Sequence, residues 1–445
     1  MNNTGKSVVT VKENAAIGEK YYYIKHTSGL DIYVVPKELS TYYAVFGTKY
    51  GSVNNKFRIK GENGYTEVPD GIAHFLEHKM FENEDGVDTF SRFAATGASA
   101  NAYTSFFVTM YLFSCTAYFD DSLEILLDYV SKPYFTEASV QKEQGIIAQE
   151  IRMGDDNPGR ALLFGMLKAI YANHNARLEI AGSVESIAKI DYKLLYKCYE
   201  TFYNLGNMAL CVCGNVTPEQ VIAVADKMLK PRKTHEVENA PFTEAPQVNK
   251  PRFSRKMQVA KPLFSIGVKD TAISGDPNER MKKNAAMTVL ENMLFGGGSE
   301  LFNDLYKEGL ISQNFGAWHD HNRSMSILVV QGESAEPEKI FERFKEYIAA
   351  AKKNGLSEED FERCRRVMYA GYIKGFDSTD AIANRFLGDF VFEGADMLDY
   401  ADIIRSLDMD YTNKIFNELF DESHYTLATI MPLETAGKST DTKII

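Results

Sequence analysis

Three segments of this chain return, in the same order, in its second half. Val289-Leu290-Glu291-Asn292-Met293-Leu294-Phe295 lies over Phe75-Leu76-Glu77-His78-Lys79-Met80-Phe81. Leu356 to Cys364 lies over Phe135 to Glu143, and Tyr425 to Ile430 answers Met208 to Cys213. Matches in one order at similar offsets mark a duplicated unit, so the chain is expected to fold as two homologous domains. Its 445 residues exceed what one compact core organises. Between the copies the chain turns polar and carries Pro231, Pro241, Pro246 and Pro251, the composition of a linker. The expected organisation is a first domain over 1–230, a linker over 231–251 and a second domain over 252–445.

The chemistry is concentrated in Asp70 to Phe81, where His74-Phe75-Leu76-Glu77-His78 places two imidazoles and a carboxylate within five residues. On a helix each residue turns ~100°, so His74 and His78 stand one above the other and Glu77 lies on the flank of the same face. Ile72, Phe75, Leu76 and Met80 fall on the opposite arc, giving an apolar back. Neutral imidazoles at i and i+4 can point a ring nitrogen each at one Zn²⁺, with the carboxylate close enough to hold a water. The order His-x-x-Glu-His is the reverse of the commoner His-Glu-x-x-His. In the second copy Thr288 faces His74 and Asn292 faces His78, so that half keeps the scaffold without the ligands.

A catalytic zinc takes three protein ligands and keeps one position open. The helix supplies two. In Glu143 to Met153, Glu143 and Glu150 are two helical turns apart and project the same way. One can ligate while the other orients a histidine ring. Gly371 faces Glu150 in the second copy.

Elsewhere the chain reads as strands over Tyr21 to Pro36, with a turn at Ser28-Gly29, and over Tyr42 to Val53. Helices are expected around Ser122 to Val130 and Ser139 to Met153. A formal net charge of −12 argues against a nucleic-acid partner. No run approaches the ~20 apolar residues of a membrane span, and Met1 to Lys6 lacks the apolar core of a signal peptide. Five scattered cysteines, among them Cys211 and Cys213 on one face of a strand, read as reduced, buried thiols of a cytoplasmic protein. Gly296-Gly297-Gly298-Ser299 lacks the Gly-Lys-Ser/Thr ending of a phosphate loop. His319-Asp320-His321 lacks a third ligand nearby, and both segments are expected as loops at the mouth of a chamber.

His74 to His78, followed by Glu143 and Glu150, with Gly97-Ala98-Ser99-Ala100-Asn101-Ala102 between, resembles the pitrilysin/insulinase family of zinc metallopeptidases, the inverzincins. Ile180 to Ile187, Asn207 to Leu210 and Asp377 to Ala383 extend the resemblance over nearly the whole chain. It implies an α+β fold of two homologous domains, each an antiparallel sheet covered by helices, forming half of a clamshell. It implies His74, His78 and Glu150 as zinc ligands, Glu77 as general base and Glu143 as the carboxylate behind a histidine. The implied activity is endopeptidase hydrolysis of extended peptides lying on an edge strand, by position Ser99, Ala100, Asn101, Ala102 and Tyr103, where the alanines are small enough to admit another backbone. One departure stands out. Where active members carry an Arg and a Tyr in the second domain, this chain has Tyr306 and Ser312. A hetero-oligomer with a half-length relative that carries the Arg/Tyr pair is therefore expected, a homodimer being the other arrangement. A non-catalytic scaffold of the same fold is the alternative reading.

Overall fold

The computed structural model describes residues 7–433, so Met1 to Lys6 lie outside the described residues. The first half lays down β1 (Val8–Asn14), β2 (Glu19–Lys25), β3 (Asp31–Pro36), β4 (Tyr42–Thr48), β5 (Lys56–Ile59), β6 (Thr66–Glu67), β7 (Ser99–Thr104), β8 (Thr109–Cys115) and β9 (Met208–Gly214). β10 (Val237–Asn239) precedes β11 (Arg252–Met257), β12 (Leu263–Lys269), β13 (Gly316–His321), β14 (Ser326–Glu333) and β15 (Tyr425–Pro432). Two large sheets result, ordered β1-β2-β3-β9-β4-β8-β7 and β11-β15-β12-β14-β13.

The last five strands of the first sheet match the second sheet one for one. In each, the entering strand runs parallel to the closing strand, as in β3 with β9 and β11 with β15, and the other pairs are antiparallel. The duplication read from three short matches is thus present in the topology.

The central strands of each sheet are buried on both faces, which their sequences allow because successive residues point to opposite sides. Ala44, Phe46, Leu210 and Val212 join the cluster of first-half helices, whereas Val45, Cys211 and Cys213 join a cluster built largely by the second half. The helices responsible are exchanged. Helix α2 (Glu137–Asp155) is followed by α3 (Pro158–Ile170), which packs Met166 and Ile170 with Ile327, Val329, Ala428 and Ile430 of the second sheet. The second half answers with α5 (Glu358–Lys374), which follows α4 (Pro277–Phe295), and α6 (Thr379–Arg385), which lies on β4 and β9 of the first sheet. The register that sets Glu358 over Glu137 sets Thr379 over Pro158. Matching strands carry matching glycines at the exchanged face: a Cβ on Gly47 would come within 3.0 Å of the Phe392 ring, beyond the end of α6, and one on Gly267 within 2.7 Å of Ile170 on α3.

Residues 231–251 do more than tether the halves. β10 pairs with β5 in a small three-stranded sheet, and the Glu244 carboxylate accepts the backbone N–H groups of Ala172, Asn173 and His174 and the Lys269 ammonium. All five cysteines are buried and unpaired, and no helix among the described residues is long and apolar enough to cross a membrane.

Candidate metal centre

Helix α1 (Ile72–Lys79) carries the two histidines, and its start is fixed by a close backbone crossing. Gly71 adopts φ 88°, where a side chain is strained, and a Cβ there would stand 2.4 Å from the Ala181 carbonyl oxygen. Gly182, at φ 73°, meets Asp70 in the same way, and Ser186 Oγ donates to the Asp70 carbonyl at 2.8 Å. The segment Ile180 to Ile187 therefore braces the front of α1. Ile72, Phe75 and Leu76 are buried, as the helical periodicity predicts. Lys79, which the apolar-back pattern did not flag, is also fully buried and pairs with Glu82.

Opposite α1 runs α2, opened by a capping box in which Thr136 accepts from the Ser139 N–H and Ser139 Oγ accepts from the Thr136 N–H. Gln144 Nε2 donates to the Ile190 carbonyl at 3.0 Å and anchors the helix between its two glutamates. Val140, Ile147 and Ile151 bury the apolar side.

Glu143 and Glu150 then meet different atoms. Glu143 accepts from His78 Nδ1 at 3.0 Å. The two oxygens of Glu150 lie 3.5 Å from His74 Nε2 and 3.5 Å from His78 Nε2. His74, His78 and Glu150 bring three ligating atoms within 4.8 Å of one another, the only such group of His, Cys, Asp and Glu among the described residues. Two imidazole nitrogens and a carboxylate oxygen suit Zn²⁺, and the donor set fits it.

The electrostatics agree with that fit. Burial pushes His74 down to about 3, with His78 and Arg160 adding to the shift, so its ring is a neutral donor. His78 is also penalised by burial, but its bond to Glu143 and the surrounding carboxylates raise it overall. Burial opposes ionisation of Glu143, and the bond from His78 more than offsets this. Glu77 is raised, chiefly by burial.

Thr104 Oγ1 donates to Glu77 Oε2 at 2.7 Å. This contact was missed in the sequence, although strand alternation from Ala100 and Ala102 points to it. Those alanines are half-buried against the first-half cluster, so their small size serves packing under the helices. What leaves β7 open to another strand is its place at the end of the sheet. Ser99, Asn101 and Tyr103 are its exposed residues.

A protein of Bacillus subtilis (strain 168) named "Uncharacterized zinc protease YmfH" is 37% identical over 424 residues, covering 94% of this chain and 98% of its own. The chain belongs to the insulinase family. Residues 65–183 match the family described as Insulinase (Peptidase family M16), and residues 189–368 match the Peptidase M16 inactive domain. The crystal structure of a "putative M16-like peptidase" from Alicyclobacillus acidocaldarius superimposes with a TM-score of 0.88 at 31% identity, covering 96% of this chain and 99% of that one. The fold also matches pitrilysin, with a TM-score of 0.75 and 14% identity, covering 99% of this chain and 48% of pitrilysin.

In this insulinase-family chain the second copy of the site has no metal-binding set among the described residues. Thr288 and Asn292 lie on α4, both bonded to backbone carbonyls of their own helix, and Gly371 lies on α5. Of the two positions where the resemblance leads one to expect Arg and Tyr, Tyr306 is 48% exposed and stacks on Phe302, and Ser312 Oγ accepts the Asn314 N–H.

Proposed function

We propose that this chain is a zinc-dependent endopeptidase subunit that cuts extended peptides inside a closed chamber, completed by a half-length partner. The observation that carries the reading is the convergence of His74 Nε2, His78 Nε2 and Glu150, with the buried Glu77 beside them. When bound there, Zn²⁺ supplies the acidity that makes water a nucleophile near neutral pH and polarises the scissile carbonyl. Glu77 takes the proton of the attacking water and returns it to the leaving amine, a role helped by burial that lifts its pKa toward neutrality. Thr104 holds one oxygen of Glu77 and Glu143 holds the Nδ1 side of His78, so both groups are oriented before substrate arrives. The peptide would add a strand to the open edge of β7 along Ser99 to Tyr103, reading backbone first.

Tyr306 and Ser312 favour a partner. A missing preorganised donor to the developing oxyanion costs on the order of 10²–10³ in rate, and a second chain with Arg and Tyr would restore it. The same positions favour the second reading, a scaffold without turnover. Against the scaffold stands the oriented Glu77, which such a protein has no use for. The deciding experiment loads the purified chain with zinc, alone and with a half-length relative from the same cell, and follows a quenched-fluorescence peptide. Turnover that needs the relative and disappears in Glu77→Gln supports the subunit reading. Absence of turnover in every combination, with zinc bound, supports the scaffold.

A further inference from the structure

Past Tyr103, β7 runs into a cavity of about 480 Å³ formed by both halves. Tyr103 and Ser105 line it from the first half, and Asp320, His321, Asn384 and Asp389 from the second. Thr104, between those first two residues, turns to the other face of the strand and touches Glu77, so β7 alone links the cavity to the proposed base.

Several polar groups at its wall are acceptors, and two of them have no donor. Asp320 accepts from Asn322 Nδ2 at 3.0 Å and, among the described residues, has no ion pair with lysine or arginine. Burial lifts it to about 6, and the Glu393 and Asp389 carboxylates add to the lift. Asp389 is 62% exposed into this space and is also raised by enclosure, although Arg385 stands 3.5 Å away. His321 is buried. Its Nδ1 meets Ser326 Oγ at 2.7 Å, and that hydroxyl donates onward to Asp270, so the proton sits on Nδ1. Nε2 is left as a lone-pair acceptor without a partner, on a residue of the cavity wall whose side chain is itself fully buried. Asn384 spends its Nδ2 on Tyr43 and on the Asp380 carbonyl, and its buried Oδ1 also has no partner.

Buried acceptors without donors are costly and rare, and the wall sets the Asp320 and Asp389 carboxylates against Arg385 as its one Lys or Arg among the described residues. A group rich in N–H donors and carrying positive charge satisfies both. A bare metal ion is the poorer fit, since the described residues bring three ligating groups together only at His74, His78 and Glu150. Phe390 and Tyr400 in the wall suit the aliphatic stem of a long cation.

We propose that this cavity is a specificity subsite for a basic side chain, lysine or arginine, of the peptide that pairs with β7. The proposal rests on the reading that an extended peptide lies on that strand. Residues of such a peptide alternate in direction, and those on the Tyr103 face enter the cavity.

The test uses the full chain carrying Glu77→Gln, loaded with zinc, and fluorescent peptides acetylated at the N-terminus and amidated at the C-terminus, so that no terminal charge contributes. A single arginine is moved along an otherwise neutral peptide and compared with citrulline at each position by fluorescence anisotropy. The expected result is one register in which arginine binds at least about tenfold tighter than citrulline, the scale of one charge-assisted hydrogen bond. Adding Asp320→Asn or Asp389→Asn should shrink that ratio toward one, with circular dichroism verifying the fold. If one variant fails to fold, the other reads the same ratio. Equal affinity for arginine and citrulline at every register, no binding of the arginine peptides up to millimolar concentration, or a ratio that survives a folded variant overturns the subsite. Cleavage without arginine preference would sink the subsite and spare the peptidase. Arginine-dependent binding without turnover by the parent chain would do the reverse.

Discussion

Thr104 and His319 stand at the same place in the two sheets and reach the same place on the two central helices. Tyr103 opposes Met110 as Trp318 opposes Val329, which sets Thr104 over His319, and the sequence repeat sets Glu77 over Glu291. Thr104 donates to Glu77 at 2.7 Å, and His319 Nδ1 meets Glu291 at 2.6 Å. The second copy thus keeps a held carboxylate where the counterparts of His74 and His78 are Thr288 and Asn292.

Glu291→Gln should accordingly change peptide turnover by less than about threefold, whereas Glu77→Gln should lower it by roughly 10²–10⁴, the usual share of a general base. Both are read in the same quenched-peptide assay with the partner present. Equal losses from the two substitutions would place catalysis in both halves.

Zinc content should separate the carboxylates of α2. Glu150→Ala is expected to lose the metal, while Glu143→Gln keeps it with about 10–100-fold weaker affinity because it only steadies His78. Titration against a competing chelator measures both. Full zinc occupancy in Glu150→Ala would falsify the assignment of that glutamate as a ligand.

A chain ended after residue 230 should not reach the native state alone. It would expose Val45, Met110, Cys211 and Cys213, which the second half covers, and contiguous apolar surface of that kind associates. Binding of a hydrophobic dye and a non-cooperative melt are expected, with recovery when residues 231–445 are supplied in trans. A cooperative melt from the isolated piece would show that the exchanged helices are dispensable.

Acid should destabilise the protein through His174. The residue is 1% exposed, its Nδ1 accepts the Ala176 N–H, and burial, aided by Lys269, pushes it down to about 4. The unfolded value is near 6.5, so between about 6.5 and 4 the unfolded chain binds a proton that the folded chain refuses, and stability falls as pH falls across that window. Up to about 3 kcal/mol is at stake. Glu244, lowered because its three backbone donors outweigh its burial, is lost in the same direction below its ordinary range. Urea melts at pH 7, 6 and 5 should show the slope, and His174→Gln should flatten it.

The front of the site was legible because helical period alone fixes how His74, Glu77 and His78 share a face. Spacing could not tell Glu143 from Glu150, since both project the same way; the division is set by where α2 crosses α1. Cys211 and Cys213 were readable as one strand face, but alternation does not say which half covers it, so the helix exchange was invisible. Residues 231–251 have linker composition because a strap held by polar contacts, such as those of Glu244, looks the same in sequence as a free tether.

The helix exchange also bears on how the chain is made. β9 closes the first sheet at Gly214, yet α6, which covers its far face, begins at Thr379, some 165 residues later. At about 5–20 residues per second, that face waits roughly 10–30 s at the ribosome. During synthesis the half that carries His74, His78 and Glu150 is the more vulnerable one, and that face is sheltered only by the last part of the chain to emerge.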